Sequence, residues 1–147
     1  MSDRIDLAWP GCNLLTDQQS SIEDSTLGVA GAWEADTNVT VARSTAQADN
    51  GVASMSMTAT AGATMIARSI YRRAVPSQTY AARARLRANT TARTCRVGLR
   101  FQNSAGGTIS TTFGTGVADS NAAWTTISIA ATQAPALTAR VVIVVEV

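Results

Sequence analysis

The sequence contains no lysine and no histidine: its 12 basic residues are all arginine, set against 10 aspartates and glutamates. Without histidine, no side chain has an ordinary pKa near neutrality, and the commonest metal ligand is missing too. The 2 cysteines, Cys12 and Cys95, are far apart and match no metal spacing, which excludes a zinc site. A disulfide between them is unsupported, because Cys95 occupies the apolar register of a strand and reads as a small core residue. Charged residues make up 15% of the chain, below the roughly 25% of an average soluble domain. A net charge of +2 is too small to hold a phosphate backbone, so no nucleic-acid partner is expected. No apolar run approaches the roughly 18 residues of a membrane span, so no membrane partner is expected either. Residues 1–12 lack the basic stretch and apolar run of a signal peptide.

What is present is alternation. The 147 residues suit one domain, and an apolar share of 46% is ample for one core. Short alternating runs at 38–43, 52–59, 63–71, 79–88, 94–103, 108–115, 124–131 and 139–147 read as strands. Between them stand turn formers such as Asp49-Asn50-Gly51, Ser104-Ala105-Gly106-Gly107 and Asp119-Ser120-Asn121. The stretch 16–27 has no apolar stripe at helical spacing and reads as loop. The expected fold is an all-β sandwich of two antiparallel sheets, with about eight or nine strands. Residues 1–12 would form an N-terminal arm and residues 13–147 the single domain.

Two strands carry the clearest pattern. In 79–88, Tyr80, Ala82, Ala84, Leu86 and Ala88 share one face, and Arg83, Arg85 and Arg87 the other. In 94–103, Cys95, Val97, Leu99 and Phe101 face one way, and Arg96, Gly98, Arg100 and Gln102 the other. The short connection between them suits an antiparallel pair, which would gather five arginines on one patch. Such a patch reads as a solvated face, a contact surface for an acidic neighbour, or a seat for an anionic polymer. The last strand is apolar on both faces from 141 to 145, so it is either central in the sandwich or covered by another chain.

Four segments follow one another in a recognisable order. Asn13-Leu14-Leu15, Ser21-Ile22-Glu23 and Gly31-Ala32-Trp33 open the chain, and Gly51-Val52-Ala53-Ser54-Met55 follows. Val75-Pro76 then precedes Tyr80, and Trp124-Thr125-Thr126-Ile127-Ser128 runs through Ala134-Pro135 into the closing strand. Together they resemble the carbohydrate-binding-module jelly rolls found beside glycoside hydrolases and in bacteriophage minor tail and capsid decoration proteins. The resemblance spans 13–147 and implies a jelly-roll β-sandwich. It also implies a structural calcium held by an early Glu and a closing-strand Asp. Glu23 matches the first position, but the closing strand offers only Glu146, and calcium takes six to eight oxygens. Ser77 stands where the family's Pro-Gly turn has its glycine.

Catalysis is poorly provided for. The carboxylates lie mainly in loops, and nothing marks a pair across a cleft; no catalytic residue is assigned, and a non-enzyme is expected. Sugar recognition needs exposed rings. Tyr80 and Phe101 fall on apolar strand faces, and Trp33 and Trp124 match structural family positions, which leaves Trp9, Tyr71 and Phe113 as glycan candidates. The arm, with Ile5, Leu7 and Trp9, either folds back on the domain or docks on a neighbour. With Arg83, Arg85, Arg87, Arg96, Arg100, Val142 and Val144 it forms the candidate interface set. The expected function is a non-catalytic bacteriophage virion structural protein that self-associates, contacts other virion proteins and is assembled in the bacterial cytoplasm. The alternative is a module that binds a host-surface or other polysaccharide glycan.

Overall fold

The computed structural model describes residues 6–9, 12–15, 22, 32–49 and 51–147, the side chains of 6–9 and 12–13 excepted. Its strands are β1 (Asp6–Trp9), β2 (Cys12–Asn13), β3 (Trp33–Thr37), β4 (Val39–Ser44), β5 (Ser54–Ala59), β6 (Ile66–Ser69) and β7 (Arg72–Arg73). They continue with β8 (Thr79–Leu86), β9 (Thr94–Gln102), β10 (Thr108–Phe113), β11 (Val117–Ala118), β12 (Thr125–Gln133) and β13 (Arg140–Glu146). Among the described residues there is no helix. Every run that alternates in the sequence contains a strand, because period-two burial is a local property of the backbone. The alternation did not disclose β1, β2, β3, β7 or β11, which are short or only partly buried.

The strands form two main sheets. The smaller has the order β12-β8-β1-β2; the larger runs β10-β9-β13-β6-β3, with β11 added to β9 and β7 to β13. A hairpin of β4 and β5 forms a third, separate sheet. Between the main sheets lies one apolar core. The smaller sheet contributes Tyr80, Ala82, Ala84, Ile127 and Ile129; the larger contributes Trp33, Cys95, Val97, Leu99, Phe101, Val141, Ile143 and Val145. Each fully buried large side chain among them contributes about 1.5–3 kcal/mol. The hairpin packs Val39, Val41, Met55 and Met57 against Met65 and Ala67, the latter on β6 of the larger sheet, as a second apolar cluster.

Cys95 sits in this core with no exposure and no disulfide partner. Burial, reinforced by the Asp119 carboxylate, pushes its thiol up to about 12. It is therefore an inert packing group, as its register in the sequence implied.

One expectation from the sequence changes here. The strands 79–88 and 94–103 do not pair: β8 pairs with β12 and β1, and β9 with β10, β11 and β13. The connection between them crosses from one sheet to the other. A link of that length spans the ~10 Å between sheets as readily as the ~5 Å between strands. The arm follows one of its two expected courses and folds back on the domain, since Asp6, Leu7 and Ala8 pair with Arg83, Ala82 and Ala81 of β8.

Candidate functional site

The outer face of the larger sheet is built from residues that stand directly opposite one another. Along β9 and β13 the pairs are Gln102 with Arg140, Arg100 with Val142, Gly98 with Val144, and Arg96 with Glu146. Strand β10 adds Thr111 opposite Arg100 and Phe113 opposite Gly98. Strand β6 places Arg68 opposite Val144, and β3 places Glu34 opposite Arg68. Opposed residues of an antiparallel pair share a face, so all of these look away from the core.

The floor of this face is apolar and its surface is an ion-pair lattice. Val142 and Val144 are 2% and 0% exposed although they point outward, shielded by the long side chains flanking them. Arg100 donates through both Nη atoms to the two Oδ atoms of Asp36, each at 2.9 Å. Arg68 reaches Glu34 at 2.9 Å and Asp36 at 3.6 Å, and Arg96 Nε donates to Glu146 Oε1 at 2.5 Å. The Arg100 hydrogen bond, against the opposing effect of burial, holds the Asp36 carboxyl below the usual carboxylate range. Fork-to-fork pairing fixes both partners in direction as well as distance. The lattice is a set of polar groups fixed in direction, with Arg68 and Glu34 open to solvent and Arg100 and Asp36 largely covered.

Two of the three rings singled out in the sequence belong to this face. Phe113 is half-buried, with the Arg96 guanidinium 4.4 Å from its ring centre. Tyr71, just before β7, is 51% exposed and carries the Arg140 guanidinium 4.2 Å from its ring centre. Phe113 stands level with Gly98, and Arg140 with Gln102, with β9 and β13 between the two rings. At ordinary strand spacings the three inter-strand steps from β10 to β7 come to roughly 14 Å, the reach of a short oligosaccharide. Trp9 belongs to the smaller sheet, and its side chain lies outside the described residues.

Gly98 is what lets Phe113 lie down. A Cβ there would stand 2.7 Å from Phe113 Cδ1, 2.7 Å from the Thr112 carbonyl oxygen and 3.0 Å from Val144 Cγ2. Gly98→Ala is expected to destabilise the domain by about 1–3 kcal/mol through overpacking and to lift the Phe113 ring. Urea denaturation reads the first effect; an unchanged midpoint would mean the ring has room to spare.

The arginines expected on one patch are divided. Arg83, Arg85 and Arg87 belong to β8 or its end on the smaller sheet, Arg96 and Arg100 to β9 on the larger. Most are already engaged: Arg85 with Asp49, Arg87 with the Asn121 carbonyl at 2.8 Å, Arg96 with Glu146, and Arg100 with Asp36. Val142 and Val144 are buried within their own chain beneath the side chains of the neighbouring strands β9, β10 and β6, and so they offer no contact surface. Leu7 stands in β1 with its backbone paired to Ala82, while Ile5 lies outside the described residues. Glu23, the calcium candidate, also lies outside them, and Glu146 is bound to Arg96. No group of three acidic, histidine or cysteine side chains that would hold a metal occurs among the described residues, so they provide no calcium cage.

A cleft of about 590 Å³ opens elsewhere, between the β4–β5 hairpin and the end of β8. Met55, Met57, Met65, Leu86 and the half-buried Trp124 line it. Its charged groups are turned to structural use: Arg85 pairs with Asp49, and buried Asp119 accepts the Arg93 backbone N–H at 2.6 Å. The residues that sequence reasoning passed over are Glu34, Asp36, Arg68 and Arg140. Glu34 and Asp36 are two apart after a tryptophan, the period-two sign that could have placed both on one strand face.

No protein-family model matches the sequence, and no curated protein matches it. Solved structures match its shape. The N-terminal CBM22-1–CBM22-2 tandem domain from Paenibacillus barcinonensis Xyn10C is 13% identical with a TM-score of 0.65, over 85% of this chain and 37% of that one. A xylan-binding domain from CBM 22 is 17% identical with a TM-score of 0.56, over 84% and 81%. The enzymatically active domain of bacteriophage CBA120 tailspike protein 4 is 15% identical with a TM-score of 0.63, over 95% of this chain and 20% of that one. Likeness at such identities is likeness of fold. The chain has a carbohydrate-binding-module-like β-sandwich.

Proposed function

We propose that the chain is a non-catalytic carbohydrate-binding module that holds a glycan across the outer face of the larger sheet. The observation that carries this reading is the joint placement of Tyr71 and Phe113 on one face, with the Arg100–Asp36 lattice between them. Rings take the apolar faces of sugars, and fixed polar groups take their hydroxyls. A non-catalytic role is supported by the carboxylates of that face. Glu34, Asp36 and Glu146 are each bound to an arginine, and Asp36 is shifted down, away from the range of a general acid.

The test is a glycan array followed by titration of the best ligand into Tyr71→Ala and Phe113→Ala. Each variant is expected to lose roughly 3–10-fold in affinity. Tyr71→Ala should leave stability within about 0.5 kcal/mol of the parent, since its ring is largely exposed. A protein that binds no glycan, or binds equally well without either ring, would contradict the reading.

A second reading places this module in a bacteriophage particle, as a minor tail or decoration protein assembled in the bacterial cytoplasm. The tailspike likeness supports it, because it covers nearly the whole of this chain. On that reading the glycan belongs to the host surface, and the module joins itself or other virion proteins through surfaces other than β13. Light scattering of the purified protein tests the self-association: a closed oligomer is expected, and a strict monomer would count against it.

A further inference from the structure

Arg73 and Arg140 stand directly opposite each other on β7 and β13. Directly opposed side chains share a face with Cβ atoms about 5 Å apart, and like charges so placed repel. Elsewhere on this face the arginines are neutralised: Arg68 by Glu34 and Asp36, Arg96 by Glu146, Arg100 by Asp36. Among the described residues, neither Arg73 nor Arg140 has a carboxylate partner. The repulsion is therefore built in and left open to solvent at Arg73, which is exposed.

Arg140 is also held in place. Its guanidinium lies on the Tyr71 ring, and Gly106, at φ +90°, lets the β9–β10 turn close on its Nη1 so tightly that a Cβ would stand 3.1 Å away. A fixed guanidinium, a second arginine directly opposite it across the strand pair and an exposed ring form a compact set. Paired guanidinium groups recognise a carboxylate by bidentate hydrogen bonds, and the ring edge offers an apolar surface to the sugar that bears it.

We infer that Arg73 and Arg140, beside Tyr71, bind the carboxylate of a uronic-acid unit, making the preferred ligand an acidic polysaccharide. This rests on the glycan-binding reading and adds the ligand's charge and its seat. The experiment titrates four probes at one ionic strength: hexagalacturonate, the same oligomer with its carboxyls reduced, neutral xylohexaose, and a sulfated oligosaccharide of equal length. Hexagalacturonate is expected to bind at least tenfold tighter than its reduced form. Arg73→Gln and Arg140→Gln should each remove about tenfold of that affinity, and Arg73→Gln, which leaves the Arg140–Tyr71 stack intact, should leave neutral binding unchanged. Arg87→Gln, which deletes the same charge on the smaller sheet, should leave hexagalacturonate binding intact. Equal affinity for the reduced oligomer, or acidic binding indifferent to Arg73→Gln and Arg140→Gln, would overturn the inference while sparing the glycan reading. An equal loss in Arg87→Gln would overturn it as general charge attraction, and equal binding of the sulfated probe would overturn the carboxylate assignment. Failure to bind all four probes, together with an empty array, would sink the glycan reading itself.

Discussion

Phe101→Ala lowers the stability of the domain by about 3–5 kcal/mol, the range for emptying a buried aromatic site. Phe101 has no exposure and meets the Tyr80 ring edge-on, with centroids 5.9 Å apart and planes at 60°. Tyr80 in turn accepts the Val75 backbone N–H at 2.9 Å through its hydroxyl, so the two rings join the larger sheet to the turn before β8. Removing Phe101 opens a void between sheets that cannot slide together, because β9 is fixed by β10, β11 and β13. Equilibrium urea denaturation should show a lower midpoint at unchanged slope, and the melting temperature should fall by on the order of 10 °C or more. A change below about 1 kcal/mol would mean that the core repacks, contrary to the rigid sandwich described here.

Asp36→Ala destabilises the protein by about 2–4 kcal/mol, because it leaves the Arg100 guanidinium without its carboxylate on a largely covered surface. The two side chains retain 17% and 14% exposure, which places the effect below that of a fully buried pair. Replacing both, as Asp36→Leu with Arg100→Met, should recover most of the loss, since no unpaired charge remains. The same pair predicts an acid dependence. The Asp36 carboxyl stays ionised in the folded protein below its ordinary range, so in that window the unfolded chain binds more protons than the folded one. The contribution of Asp36 to stability is therefore complete above about pH 5 and declines as pH falls through its depressed folded-state value. Denaturation midpoints for the parent and Asp36→Ala, measured between pH 3 and 7, should converge toward the acid end. Parallel curves would show that Asp36 is not stabilised by Arg100.

Strand identity was legible because its signal is local. In Thr79–Leu86 and Thr94–Gln102, apolar and polar residues alternate with the pleat, and burial follows the same alternation. The core roles of Tyr80, Cys95, Leu99 and Phe101 could be read from register alone. An Arg140–Glu146 strand apolar on both faces left a central place and cover by another chain equally open, until its pairing between β9 and β6 decided for the first. Tyr71 and Phe113 were recognisable as rings left over once the core positions had been filled.

Partner choice was not legible, because pairing is a contact between residues distant in the chain. The short connection before Thr94 fits a hairpin and a crossing between sheets equally well; only the packing of both apolar faces against each other made it a crossing. That choice split the arginines between two sheets, buried Val142 and Val144 beneath a lattice of charges, and brought Asp36 to Arg100 across 64 residues of sequence. The sequence by itself determined which residues alternate, and hence where eight of the strands lie and which of their faces are apolar. The tertiary structure decided which strands are neighbours, and with them which charges neutralise each other and which two, Arg73 and Arg140, are left facing one another without a carboxylate among the described residues.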